Sequence, residues 1–401
     1  MKKVAIIGAG ASGILASINL KKQFNNNIDV YLIEKNNRIG KKIITSGNGK
    51  CNITNETHLE NNIYNNCFAD NIYRNFSPIT LREYFQSLGI FTKTDNMNRV
   101  YPLTESSSTV LDILLMHLRK ENVKIYTDTL VNKIISNNYK YILNTSSEEI
   151  NKIQFDDIII SIGSIASIKN TNINNHYKLL KDLDINITNI IPGLVGLKIK
   201  KNQINGFSGI RQKAKVTLFN NEKIVFEELG EVQFKDDGIS GIVVMNASSI
   251  IARSKNKLNI TLDLLPTYNT EELVEQLNII QKQTNINFSD LVHGILPKMI
   301  SNKLCSILEK KSILNIYEFI KLAKNYQLEI EGTYGFEFGQ VCVGGVDLSE
   351  ITDDFELKKY PNVYVIGEVL NIDGLCGGYN LQFAFSSGYL VSNAIYKKEG
   401  L

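Results

Sequence analysis

The chain lacks the cysteine spacing that organises a metal site or a disulfide scaffold. Its five cysteines, Cys51, Cys67, Cys305, Cys342 and Cys376, are scattered, with no CxxC and no CxxxxC pair. That argues against a zinc site or a disulfide framework and makes a reduced, cytoplasmic protein the expectation. The four histidines, His58, His117, His176 and His293, show no paired metal spacing either. No apolar run reaches the length of a membrane span, and Met1 leads straight into a strand pattern, which leaves no room for a signal peptide. Charge of one sign is also missing. With 44 basic and 41 acidic residues and a net charge of +3, no extended polyelectrolyte partner is suggested, and a nucleic-acid surface would have to be a local patch. There is no internal repeat and no low-complexity block. What remains is a 401-residue chain, 43% hydrophobic, long enough for two or three domains with a large core.

The most informative stretch is Met1 to Glu34. An apolar run from Val4 to Ile7 breaks at Gly8-Ala9-Gly10-Ala11-Ser12-Gly13 and resumes with helical spacing at Ile14, Leu15, Ile18 and Leu20. A second apolar run, Val30 to Ile33, ends at Glu34, about 20 residues beyond Gly13, the spacing of a dinucleotide-binding βαβ unit. Gly8 would permit the turn, Gly10 would remove the Cβ that blocks a pyrophosphate, and Gly13 would let the helix lie close to the strand. The helix start offers N–H groups and partial positive charge to phosphates. Glu34 would accept from both ribose hydroxyls and repel a 2′-phosphate, so the expected nucleotide is FAD or NAD(H), not NADP(H).

Beyond Glu34, the stretch from Gly40-Lys41-Lys42 to Asn52 and Asn55 is too polar and glycine-rich for a regular element. A basic loop of this kind would run along a diphosphate and over an isoalloxazine ring. Helices are expected from Ile79 to Leu88 and from Thr109 to Lys120, with a short strand at Arg99 to Leu103 between them. Strands follow at Val123 to Tyr126, Val131 to Ile135, Tyr139 to Leu143 and Phe155 to Ile162, the last closed by Gly163, a position of close backbone approach. The pattern then shifts. Residues 191–265 read as a small β domain and 266–328 as a helical subdomain with a break at Pro297, while 329–401 return to the nucleotide-binding domain begun by residues 1–190.

A second glycine-rich helix start, Gly377-Gly378 before Tyr379-Asn380-Leu381, follows a strand that ends in Gly367-Glu368. The two glycines would let backbone approach a planar ring, and the helix start would face negative charge at N1 and O2 of a flavin. Glu368 or Asp373 would bind ribitol hydroxyls. A nicotinamide-only dehydrogenase needs no such second site, which favours FAD. Cys51 and Cys376 stand in the two loops expected nearest the ring, where a redox role is weighed against simple packing. Tyr379 would cover the flavin or protonate a substrate, or only pack. No catalytic acid or base can be named.

The opening glycine turn, the SGNGKCNITN block (Ser46 to Asn55), Arg99-Val100-Tyr101-Pro102, Gly238-Ile239-Ser240-Gly241 and the GGYNLQ block (Gly377 to Gln382) together resemble the BaiN-like bacterial flavoproteins. These are also described as aminoacetone-oxidase-family FAD-binding enzymes or NAD(P)/FAD-dependent oxidoreductases. The resemblance spans essentially the whole chain. It implies an α/β fold: a glutathione-reductase-type, Rossmann-like FAD domain made by both chain ends, with an inserted β-barrel-like domain and a helical subdomain. Carried over by motif, Gly8, Gly10, Ser12 and Gly13 would face the diphosphate, and Glu34 and Lys35 the adenosine side. Lys42 and Asn52 would face the middle of the cofactor or its ring, and Gly367, Glu368, Asp373, Gly378, Asn380 and Leu381 the ribitol and pyrimidine. Gly40, Val131, Gly163 and Tyr379 complete the expected cofactor-binding set. One departure stands out: where the family has an Ala-Thr-Gly-Gly turn, this chain has Ser161-Ile162-Gly163-Ser164, followed by Ile165 to Asn174 in place of a glycine-rich run.

The expected activity is FAD-dependent oxidoreduction, a hydride moving between flavin N5 and a small organic substrate, with NAD(P)H as a transient donor at the open face. Disulfide reductase chemistry is disfavoured, because no cysteine pair adjoins the flavin. The alternatives are a flavin-dependent nucleic-acid-modifying protein, its surface supplied by lysines between Lys298 and Lys311 and between Lys321 and Lys324, a module whose FAD is structural, or an amine oxidase.

Overall fold

The computed structural model describes all residues except 26, 58–62, 139, 170–171 and 401. His58 and Tyr139 therefore lie outside the described residues. The chain divides into two compact units, Met1–Ile191 with Val341–Leu401, and Pro192–Gln340. Two chain segments thus build the first unit. The second boundary falls at 340/341 rather than at the expected 328/329, because Ile330–Thr333 pairs with Leu197–Ile199 in the sheet of the second unit.

The first unit is built on a five-stranded parallel sheet, ordered Val363–Val365, Asp157–Ile160, Lys2–Ile7, Ile28–Ile33, Lys124–Tyr126. Parallel strands are covered on both faces, so their sequences are continuously apolar, as Val4 to Ile7 and Ile158 to Ile160 are. The opening helix, Ala11–Gln23, buries Ile14, Leu15, Ile18 and Leu20, and the closing helix, Tyr379–Lys398, packs along it. The strand expected from Phe155 to Ile162 is broken at Asp156. Phe155 pairs with Tyr141 in a separate small sheet, whereas Asp157 pairs with Val4 in the main one.

Two further expectations need correction. The stretch after Gly40 is not irregular throughout: it forms a short helix, Lys41–Thr45, and a helical turn, Ser46–Gly49. A helix at Cys67–Asn75 was not anticipated, although Asn66 caps it by accepting from Phe68 N–H at 2.8 Å and Ala69 and Ile72 form its buried face.

The second unit carries a seven-stranded antiparallel sheet. Its order is Tyr326–Leu328, Asn259–Asp263, Arg211–Asn220, Lys223–Phe234, Gly238–Ser240, Leu197–Ile199, Ile330–Thr333. The two edge strands are separated in sequence by Glu329 alone, which brings the edges together at one corner. Helices Thr270–Thr284, Phe288–His293, Lys298–Lys310 and Ile316–Lys324 fall where helical spacing is seen, with Asn269, Asn287 and Asn315 as caps. Leu304, Phe319 and Ile320 from these helices share one apolar core with Val216, Ile260 and Leu262 of the sheet.

Candidate functional site

The glycines of the opening turn differ in what surrounds them. Gly8 has φ +102°, and a side chain there would run into the Ser161 carbonyl; at Gly13 it would run into the Gly8 carbonyl. These two therefore serve close packing between strand, turn and helix. Gly10 is different: a Cβ there would meet nothing within 4 Å. It caps the opening helix with no side-chain acceptor, which leaves the first N–H groups without a capping side chain, as at phosphate-binding helix starts. Gly163, with φ +66°, is equally open.

The closing helix starts in the same manner, on Gly378 at φ +109° with no side-chain cap. A Cβ on Gly378 would lie 2.6 Å from the Thr54 carbonyl oxygen and 2.8 Å from Asn52 Oδ1. Asn55 Nδ2 donates to the Gly377 carbonyl at 3.1 Å. At the other end of the same loop, Gly40 N–H donates to the Ala9 carbonyl at 2.8 Å. Residues 40–55 thus run from the first glycine turn to the second. The turn at Gly367 also meets the first glycine turn, since a Cβ on Gly367 would lie 2.5 Å from Ser12 Oγ. Asn52 Oδ1 and Thr54 Oγ1 are buried beside the second turn without a hydrogen-bond partner among the described residues. Buried polar atoms of this kind are normally satisfied, so a ligand group is the natural partner.

At the end of its strand, Glu34 accepts from Ala9 N–H and Asn36 N–H, both at 2.9 Å. Thr129 N–H donates to the Glu34 carbonyl at 2.9 Å, which sets the segment leading to Val131 alongside; Val131 is buried and pairs with Thr145. Exposed Lys35 points its Nζ at His176 Nδ1, 3.5 Å away. Lys42 Nζ bonds Glu368 Oε2 at 2.7 Å and Ser164 Oγ at 3.1 Å, and Ser164 Oγ donates to Glu368 Oε1 at 2.6 Å. This triangle ties the 40–55 loop, the Gly163 turn and the Gly367 turn together. Burial pushes the nearby Cys342 thiol up to about 11, so it stays protonated.

Not every expected residue points a side chain into this space. Asn380 clamps the turn before its helix, its Oδ1 accepting from Gly374 N–H at 2.8 Å and its Nδ2 donating to the Gly374 carbonyl at 3.0 Å. Asp373 is buried, with its N–H donating to Asn65 Oδ1. The Tyr379 ring packs edge-on to Tyr64 and tilted to Tyr73, which leaves its backbone N–H, in the first helical turn with that of Leu381, as the group offered at the helix start. Burial pushes the Cys51 thiol up to about 11, a poor setting for a nucleophile.

A family model described as the HI0933-like protein Rossmann domain matches residues 2–394. The chain belongs to that family. It is 32% identical to the 3-dehydro-bile acid delta(4,6)-reductase of Clostridium scindens, covering 98% of this chain and 99% of the relative. It is 25% identical to the ribosomal RNA dihydrouridine synthase of Escherichia coli, over 96% of this chain and 95% of that protein. Among solved structures, the 3-ketosteroid delta1-dehydrogenase of Sterolibacterium denitrificans shares the fold, with a TM-score of 0.51, 11% identity, and coverage of 99% of this chain and 100% of that one.

Two residues at the site were not singled out from sequence. Ser164 was seen only as part of a departure from the family turn, yet it bridges Lys42 and Glu368. His176 lies two residues beyond the segment that replaces the glycine-rich run, with Nε2 3.0 Å from the Gly163 carbonyl. Burial lowers its pKa to about 4. No spacing rule marks either residue; both are defined by chain closure. Conversely, Lys324 leaves the expected basic surface: its Nζ is held by Asp263 at 2.9 Å and by the Leu265 and Tyr268 carbonyls. Among the described residues no group of His, Cys, Asp and Glu could hold a metal ion, and no helix is long and apolar enough to cross a membrane.

Proposed function

We propose that the chain holds FAD between its two glycine-started helices and reduces a carbon–carbon double bond conjugated to a carbonyl. The observation that carries this reading is the gathering of both chain ends, with Gly367 against Ser12 and Gly378 against Thr54 of the 40–55 loop, and open space among the described residues at Gly10 and Gly163. In this reading the two-segment unit is a glutathione-reductase-type FAD domain, and residues 192–340 are the inserted barrel-like and helical part.

When bound, FAD supplies hydride at N5. The chain does the rest. The opening helix start and Gly10 hold the diphosphate, and Ser12 backs them. Glu34, Lys35 and Val131 bound the adenosine side, where the Glu34 carboxylate repels a 2′-phosphate. Lys42, Asn52, Glu368 and Asp373 serve the ribitol. The start of the closing helix, Gly378 to Leu381, stabilises negative charge at the pyrimidine edge. NADH or NADPH is the transient donor.

The substrate class rests on what two relatives share. One is named for delta(4,6) reduction of a 3-dehydro bile acid and the other for making dihydrouridine. Both products follow from saturating a C=C conjugated to a C=O. A small unsaturated ketone is the first choice here because the bile acid relative is the more similar of the two. The second reading, uridine in RNA, is favoured by the whole-length match to the RNA enzyme. It would use Lys298, Lys303, Lys310, Lys311 and Lys321, without Lys324.

The test is a half-reaction series. The purified protein should be yellow, bleach anaerobically with NADH or NADPH, and recover its colour on adding a 3-oxo-4-ene steroid. Recovery with unmodified ribosomal RNA instead selects the second reading, and peroxide release with an amine selects an oxidase. A colourless preparation that cannot be reconstituted with FAD removes the proposal.

A further inference from the structure

One three-stranded sheet of the first unit, ordered Thr54–Asn55, Arg99–Pro102, Thr92–Thr94, carries a cavity on one face. In that sheet Asn55 lies opposite Arg99, and Lys93 opposite Tyr101. Cross-strand partners project from the same face. Asn55, Arg99, Tyr101 and Lys93 therefore share one face, while Val100, fully buried, points to the other. Asn55 reaches the Gly377 carbonyl, so this face begins where the closing helix starts. Cys376 lies within electrostatic reach of both Arg99 and Tyr101. The face opens into a cavity of about 340 Å3, bounded by Lys50, Lys93, Asp95, Arg99, Tyr101 and Glu105.

The cavity walls carry three cations and two anions. Both anions are committed to holding the cations in place. Asp95 takes Nε and Nη2 of Arg99, each at 2.8 Å, which fixes the guanidinium plane and leaves Nη1 outside that pair. Glu105 pairs with Lys50 at 2.7 Å and with Lys93. Those two lysines hold its carboxyl down at about 2, so it stays charged at any working pH. One positive charge is left over, beside a tyrosine ring that gives an apolar wall. An arginine fixed on one edge is a ready receptor for a carboxylate on the other.

We propose that this cavity binds a carboxylate carried by the substrate, with Arg99 and Lys93 as receptors, while the conjugated double bond reaches toward the flavin. The inference rests on the reading of the flavin site given above. The pocket selects acids over their neutral esters.

The probes are 3-oxochol-4-enoic acid and its methyl ester, titrated into the oxidised holoenzyme while the flavin absorbance is followed. The acid should bind at least tenfold tighter than the ester, and raising the salt from 50 to 300 mM should narrow that ratio. Arg99→Gln should weaken the acid by about tenfold or more and the ester by less than threefold. Lys93→Gln, which leaves the Arg99–Asp95 pair intact, should act in the same direction to a smaller degree. Equal binding of acid and ester by the unaltered enzyme overturns the proposal, as does an equal loss of both in the variants, which would mark a structural ion-pair network. If neither compound perturbs the flavin of an enzyme that NADH bleaches, the unsaturated-ketone reading falls as well, a result distinct from equal binding.

Discussion

Gly388 of the closing helix lies so close to Ser12 of the opening helix that a side chain on the glycine would collide with the serine carbonyl. Ser392 continues the contact one turn later, donating to the Ala16 carbonyl at 3.2 Å. Close packing of this kind tolerates little added volume. Gly388→Ala should cost about 1–3 kcal/mol and loosen FAD, because the Gly367–Ser12 approach depends on the same helix pair. Thermal unfolding and the ratio of bound flavin to protein, read together, check this; a variant with unchanged melting and full flavin would contradict it.

Lys42 and Glu368 form a partly buried pair that joins two sides of the site. Removing one charge leaves the other half-buried without its partner, which costs more than the pair contributes. Lys42→Met should weaken FAD binding by about tenfold or more, from roughly 1.4 kcal/mol per factor of ten. Apo-protein titrated with FAD and followed by flavin fluorescence gives the number. Glu368→Gln, which keeps an acceptor for Ser164, should cost less.

How much of this was legible in the sequence depends on the range of the contact. Gly8, Gly10, Gly13, Gly377 and Gly378 could be read because a turn that needs positive φ or an absent Cβ can be met by little except glycine. The helices that start at Thr270 and after Asn287 could be read because helical spacing and capping residues are local signals. The Lys42–Glu368 bond spans 326 residues and the Lys35–His176 contact 141, and no local pattern encodes either. The Cys67–Asn75 helix left a readable signal, Asn66 ahead of Phe68, Ile72 and Phe76. Asn380 shows the opposite case: it was expected to face the cofactor, and its side chain instead clamps the Gly374 backbone.

His176 gives a pH dependence. Its folded pKa, about 4, is below its ordinary value of 6.5 because burial disfavours the charged ring. The unfolded chain therefore takes up a proton first as the pH falls. The stabilisation is complete above about 6.5 and is lost progressively between there and 4, amounting to roughly 3 kcal/mol. His176→Gln should flatten this acid limb of a melting-temperature profile between pH 7.5 and 4.5. An unchanged profile would show that other groups set it.

Cys51→Ala should leave flavin reduction by NADH or NADPH within about twofold of the unaltered rate, since a thiol pushed up to about 11 supplies almost no thiolate at neutral pH. Stopped-flow bleaching rates test this. A loss of a hundredfold or more with flavin still bound would restore a redox role for this cysteine.

The contact between Ser392 and Ala16 joins positions 376 residues apart. On a ribosome adding about 5–20 residues each second, the opening helix waits roughly 20–75 s for the segment that covers it. During that interval its apolar flank is exposed to chaperones and to neighbouring nascent chains, and the nucleotide cleft does not yet exist. Flavin capture is therefore a late event in biosynthesis, and a stalled or shortened translation product would emerge without the means to hold its prosthetic group.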